Sequence, residues 1–106
     1  MFSSLQDKLR PIREQAIQDL RAVRVASADA RLVLDAASAE VIDQSETVQH
    51  DEGQVSVFYL TQIVRNPDGE YFLLKTTDKR PYVKHLPQER AKLVLKAKYR
   101  PPGQPL

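Results

Sequence analysis

The chain has 106 residues, 42% hydrophobic and 28% charged, a balance that suits one globular domain with a core of its own. It holds no cysteine, which excludes thiol catalysis, thiolate-bound metals and disulfides, and only three glycines, which excludes the P-loop and the dinucleotide-binding fingerprint. The formal charge of +2 hides a split: residues 1–70 carry 7 Lys/Arg against 12 Asp/Glu, a net of −5, and residues 71–106 carry 9 against 2, a net of +7.

Phe2, Leu5, Leu9, Ile12, Ala16, Leu20 and Val23 recur at steps of three and four, which puts them on one stripe of a helix. The spacing predicts a helix from near Ser4 to near Arg24, kinked or restarted at Pro11. The stripe reads first as a cover for the chain's own sheet. Its seven-residue spacing also permits a seam between two copies, a homodimer through the N-terminal helix. Ser27 then reads as the N-cap of a second helix, Ala28 to Asp43, with Ala30, Val33, Leu34, Ala37 and Val41 on one face. The competing reading is a strand at Arg31 to Leu34. Ser45 to Gln54 reads as a polar, acidic loop.

Val55 to Arg65 is rich in β-branched and aromatic residues and is followed by Asn66-Pro67-Asp68-Gly69 and then Glu70 to Thr77. Pro67 presets φ for a type I turn, Asn66 and Asp68 suit its flanks, and Gly69 can take the left-handed conformation that closes a bulged hairpin. Both faces of this hairpin are substantially apolar, which places it centrally, with helices on at least one side. Pro81 to Leu86 reads as an edge strand, since proline at its start is tolerated there. Leu86-Pro87-Gln88-Glu89 resembles a helix start, while Lys92 to Tyr99 also alternates like a strand; capping and composition favour the helix.

These elements predict an α+β fold, with two N-terminal helices packed on a small antiparallel sheet built around the Val55–Thr77 hairpin. A C-terminal basic helix (or strand) completes a single domain over residues 1–100, and residues 101–106 form a disordered Pro-rich tail. The expected core is Leu9, Ile12, Leu20, Val33, Leu34, Val57, Phe58, Leu60, Ile63, Phe72, Leu74, Val83, Val94 and Leu95. No apolar run approaches the ~20 residues of a membrane span. The polar N-terminus has no signal-peptide core, so a cytoplasmic protein is expected.

Chemistry is sparse. His50-Asp51-Glu52 are adjacent residues that cannot all point at one ion, and neither a metal nor a cofactor is expected. The basic third holds the candidate contacts: Lys75, Lys79, Arg80, Tyr82, Lys84, His85, Arg90, Lys92, Lys96, Lys98, Tyr99 and Arg100. Basic groups can hold phosphates and tyrosines can stack on bases. The same residues could equally meet an acidic protein surface, or be neutralised by the chain's own acidic half.

The expected function is that of a small non-enzymatic regulatory or adaptor protein that binds a macromolecular partner through this basic face. The first alternative is nucleic-acid binding through the same residues. The second is a metal-independent ribonuclease, because Lys79, Arg80, Tyr82, Lys84 and His85 cluster in one stretch and RNA supplies its own nucleophile. The order of two helices and then strands, one of them basic, is similar at fold level to small bacterial toxin nucleases.

Overall fold

A computed structural model describes residues 4–103. The first element, α1 (Leu5–Arg21), starts at a capping box: the Asp7 amide donates to Ser4 Oγ at 3.2 Å, and the Asp7 carboxylate accepts from the Ser4 amide. The helix runs through Pro11, which has no N–H to return to the Asp7 carbonyl. Leu9, Ala16 and Leu20 are buried along its stripe, and Val23 follows just beyond it. Phe2 lies outside the described residues.

Beyond α1 the chain departs from a second helix. Arg24–Ala26 (β1) and Val33–Asp35 (β2) pair as a small antiparallel hairpin, a 3-10 turn covers Ala36–Ser38, and Glu40–Asp51 forms β3. There is therefore one N-terminal helix, not two. The reason lies in local competition and tertiary demand. Ser27 and Asp29 use their side chains inside a loop instead of capping a helix: Ser27 Oγ donates to Asp29 Oδ1 at 2.7 Å and accepts from the Leu32 amide, while Ala30 takes φ +57°. Asp35 caps the 3-10 turn through the Ala37 amide. The next strand, β4 (Gln54–Arg65), needs a partner on each edge, and residues 40–51 supply one of them. Helix propensity is a weak preference beside that requirement.

The segment expected to be a polar loop is accordingly the outer half of β3 and a tight turn. Asp51 pairs with Gln54, and Glu52 and Gly53 both have positive φ (51° and 77°), as a two-residue type I′ hairpin requires. β3 and β4 form a long antiparallel ribbon. β5 (Tyr71–Lys75) and β6 (Tyr82–Leu86) continue the sheet in the order β3-β4-β5-β6. The β4–β5 turn forms as its sequence demands: the Gly69 amide donates to Asn66 O at 2.9 Å, the Asn66 amide to Glu70 O at 2.8 Å, and Gly69 has φ +94°. α2 (Gln88–Leu95) is the helix that capping favoured over the strand, starting after Pro87 and ending in a 3-10 turn at Lys96–Lys98.

Strand register sorts the residues to two faces. On one, α1 packs through Ala16 and Leu20, with Val23 and Leu34, on Leu60, Val64, Phe72 and Leu74. On the other, α2 packs through Ala91 and Leu95 on Ile63, Tyr71 and Leu86. Eight of the fourteen expected core residues are buried; Ile12, Val57, Phe58 and Val83 are half-buried, and Val33 and Val94 are exposed at 52% and 49%. Val33 sits in the outlying β1–β2 hairpin, and Val94 on the side of α2 turned from the sheet. The C-terminal part of the α1 stripe, Ala16, Leu20 and Val23, is covered by the chain's own sheet.

Two ties hold α1 along the ribbon. Lys8 Nζ donates to Gly53 O at 2.6 Å at the ribbon tip, and Arg13 clasps Glu46 of β3 through both of its carboxylate oxygens. At the opposite end the chain doubles back on the sheet. Tyr71 Oη donates to Arg100 O at 2.8 Å and accepts from the Arg100 amide at 2.9 Å. The tail starts packed: Pro101 and Pro102 are half-buried, and Pro102 lies against Gly69. Positions 104–106 fall outside the described residues.

Gly69→Ala is expected to destabilise the fold by about 1–3 kcal/mol in denaturant melts. Its φ is +94° and a Cβ there would meet Pro102 Cα at 2.6 Å. A second expectation concerns acid. The hydrogen bond from Arg13 holds the Glu46 carboxyl below its ordinary pKa, so the pair stabilises the fold above the unfolded-state value and that contribution is lost as pH falls through the folded one. Arg13→Ala should therefore flatten the acid side of a stability profile measured between about pH 6 and pH 3.

Candidate functional site

The face that carries α2 is only partly covered by it. Cross-strand register aligns Ser45, Thr61, Lys75 and Tyr82 in one row across the sheet. Alternation along β6 and β4 puts Lys84 and Tyr59 on the same side, one row to either hand. α2 packs on the residues at the other end of this face, and the row of Lys75 and Tyr82 lies beyond it. Tyr82 is 49% exposed.

Between the two tyrosines lies an open hollow of about 450 Å3, lined by Tyr59, Lys75, Thr76, Thr77, Asp78 and Tyr82. Its parts are fixed from outside. Tyr59 Oη donates to Asp78 Oδ1 at 3.2 Å. The Lys75 ammonium sits 5.4 Å from the centre of the Tyr59 ring, a cation–π distance. The loop after β5 is stitched to β4 by Thr76, whose amide donates to Leu60 O and whose Oγ1 accepts from the Leu60 amide, both at 2.9 Å. Thr77 Oγ1 donates to Arg80 O at 2.6 Å and accepts from the Lys79 amide at 3.0 Å, which shapes the turn that presents Lys79 and Arg80 to solvent.

The predicted basic residues divide into three groups. Lys75, Tyr82 and Lys84 share the open part of the sheet face, with Lys79 and Arg80 in the exposed loop at its end. Arg90, Lys92 and Lys96 lie exposed on and just after α2, and Lys92 Nζ stands 6.0 Å from the Tyr99 ring centre. His85, Lys98, Tyr99 and Arg100 are engaged with the fold. His85 faces the α1 side, 5.3 Å from Phe72 ring to ring, with Nε2 2.8 Å from Glu70 Oε2. Lys98 pairs with Asp43 at 3.4 Å and Arg100 with Glu40 at 3.2 Å. The Tyr99 ring is stacked on Tyr71 at 5.5 Å.

The acidic half of the chain thus neutralises part of the basic half through β3. Among the described residues, Lys75, Lys79, Arg80, Lys84, Arg90, Lys92 and Lys96 form no ion pair within 4 Å. The run that suggested a ribonuclease is split by strand alternation, with Lys84 and His85 on opposite faces of β6. The likeness to toxin nucleases, which rested on two N-terminal helices, loses that basis. His50, Asp51 and Glu52 are exposed at the ribbon tip.

Sequence reasoning missed Tyr59 and Asp78 as parts of the site. Tyr59 could have been found from its parity with Thr61 once Thr61 was paired with Lys75, but the register is not visible in the sequence alone. No protein-family model matches the chain, and no curated protein and no solved structure is similar enough to it to count as a match.

The geometry makes one titration distinctive. Ionising Tyr59 would put a phenolate beside the Asp78 carboxylate and break their hydrogen bond, so its pKa is raised above the ordinary 10.0. Asp78→Asn should bring the Tyr59 titration down, followed by ring chemical shifts at alkaline pH.

Proposed function

We propose that the protein is a small non-enzymatic binding module, an adaptor or regulatory protein, that holds a negatively charged macromolecule on the open part of its sheet. One observation carries this reading: Lys75, Tyr82 and Lys84 share the face that carries α2, in the part that the helix leaves uncovered, next to the exposed cations Lys79 and Arg80. Lysines on adjacent strands repel one another, half-buried Lys75 and exposed Lys84 here, and a polyanion that arrives lowers that repulsion, so binding is electrostatic in origin and sensitive to salt. The fixed loop and the anchored Tyr59 keep the surface in shape before binding, which limits the ordering cost.

A second reading has its own observation. On the outer side of α2, Leu93 is 69% exposed and Val94 49%, beside Arg90, Lys92 and Lys96. Exposed apolar side chains ringed by cations suit an acidic protein surface with an apolar centre.

Fluorescence anisotropy with labelled heparin, a polyanion without bases, tests the first reading and separates it from the second. Lys75→Glu combined with Lys84→Glu should weaken binding at low salt by at least about tenfold. Arg90→Glu combined with Lys96→Glu should weaken it less. Absence of binding at low salt would refute the reading, and a larger effect of the α2 pair would move the docking surface to the helix.

A further inference from the structure

We infer that the ligand of this surface is a single-stranded nucleic acid, with one base stacked on Tyr82 and the neighbouring phosphates held by Lys75 and Lys84. This rests on the reading of the open sheet face as the docking surface. Tyr82 stands between two cations. Lys75 is its direct cross-strand partner, about 5 Å away at Cβ. Lys84 lies two residues along the same strand, about 7 Å away. A nucleotide strand presents that same alternation of flat apolar base and charged phosphate, and stacking needs no particular base.

The hollow beside Tyr82 separates nucleic acid from other polyanions. It joins an aromatic wall, an ammonium and the Asp78 carboxylate. Tyr59 occupies only Oδ1 of Asp78. A carboxylate at the edge repels a phosphate or sulfate, but its second oxygen can accept from the amino group or ring N–H of a base. Thr76 and Thr77 line the same hollow. Its volume of about 450 Å3 lies within the range of small-ligand clefts and is enough for a base beside Tyr82. Asp78 acts here as a positioning residue through Tyr59, which in turn holds Lys75.

Geometry also selects single strands. A four-stranded sheet is about 15 Å across, wider than the ~12 Å major groove, so this face cannot enter a duplex. Tyr82 can stack only on a base whose face is free, as in a single strand.

The test titrates the full chain with a labelled single-stranded oligothymidylate, the matching duplex, labelled heparin and polyglutamate, at two salt concentrations. The single strand should bind more tightly than the duplex. Tyr82→Ala should weaken the single strand at least about fivefold and leave heparin unchanged, while Tyr82→Phe retains binding. The half-exposed Tyr82 can be replaced without opening the core, and unchanged thermal melts check this. Equal binding of duplex and single strand, or an oligonucleotide affinity indifferent to Tyr82→Ala, would overturn the inference. If heparin still bound through Lys75 and Lys84 in that case, the broader reading would stand. Polyglutamate binding as tightly as the oligonucleotide would assign the surface to an acidic protein. Failure of every probe at low salt would sink both.

Discussion

The 12 residues of β4 extend about 40 Å, and the two helices that cover the sheet differ in length. The 17 residues of α1 run to about 25 Å along the ribbon, tied near the tip by Lys8 and at Glu46 by Arg13. The eight residues of α2 reach only about 12 Å, and they spend it on Tyr71, Ile63 and Leu86 at one end of the opposite face. The row of Thr61, Lys75 and Tyr82 lies beyond α2, with Thr61 and Lys75 half-buried and Tyr82 exposed. α2 and the residues after it cross the sheet at one end, from Leu86 of β6 to Asp43 and Glu40 of β3, and form a second, smaller core there. The candidate site is the part of this face that lies beyond α2.

Charge follows the same plan. The acidic and basic halves of the chain meet where β3 lies under the residues that follow α2, at Asp43 with Lys98 and Glu40 with Arg100. Both pairs are partly exposed and contribute little to stability individually. Their larger effect is to remove two cations from the field at that end of the sheet. Together with the Tyr71 clasp on Arg100, they fix the returning chain in place. Among the described residues, the C-terminal cations without an acidic partner lie on the open face, its loop and the outer side of α2, while Arg10, Arg21 and Arg24, also without one, lie on α1 and β1.

Much of the fold is legible in the residues, and the illegible parts have physical causes. The β4–β5 hairpin is readable because Asn66-Pro67-Asp68-Gly69 dictates its turn without outside help, and α1 because its stripe is long and capped at Ser4. α2 is readable because Pro87 and Glu89 outweigh the alternation of Lys92 to Tyr99. Residues 28–43 mislead because alanine tolerates either state, so the pairing demand of β4 decides, and no local signal reports it. Ser45–Asp51 are polar on both sides because they form a solvent-facing edge strand, which erases the alternation that would identify it. The same errors blurred the site. With residues 40–43 read as helix, the partners of Lys98 and Arg100 were invisible. A run of basic residues gave no hint that alternation along β6 sends Lys84 and His85 to opposite faces.

Mapping the contact surface by backbone amide and tyrosine-ring chemical shifts, during titration with a single-stranded oligothymidylate, tests the central claim most directly. The account predicts shifts confined to Tyr59, Thr61, Lys75, Tyr82 and Lys84 and the loop of residues 76–81, with the α1 face silent. Shifts centred on α1 and the β1–β2 hairpin, or none at low salt, would contradict it.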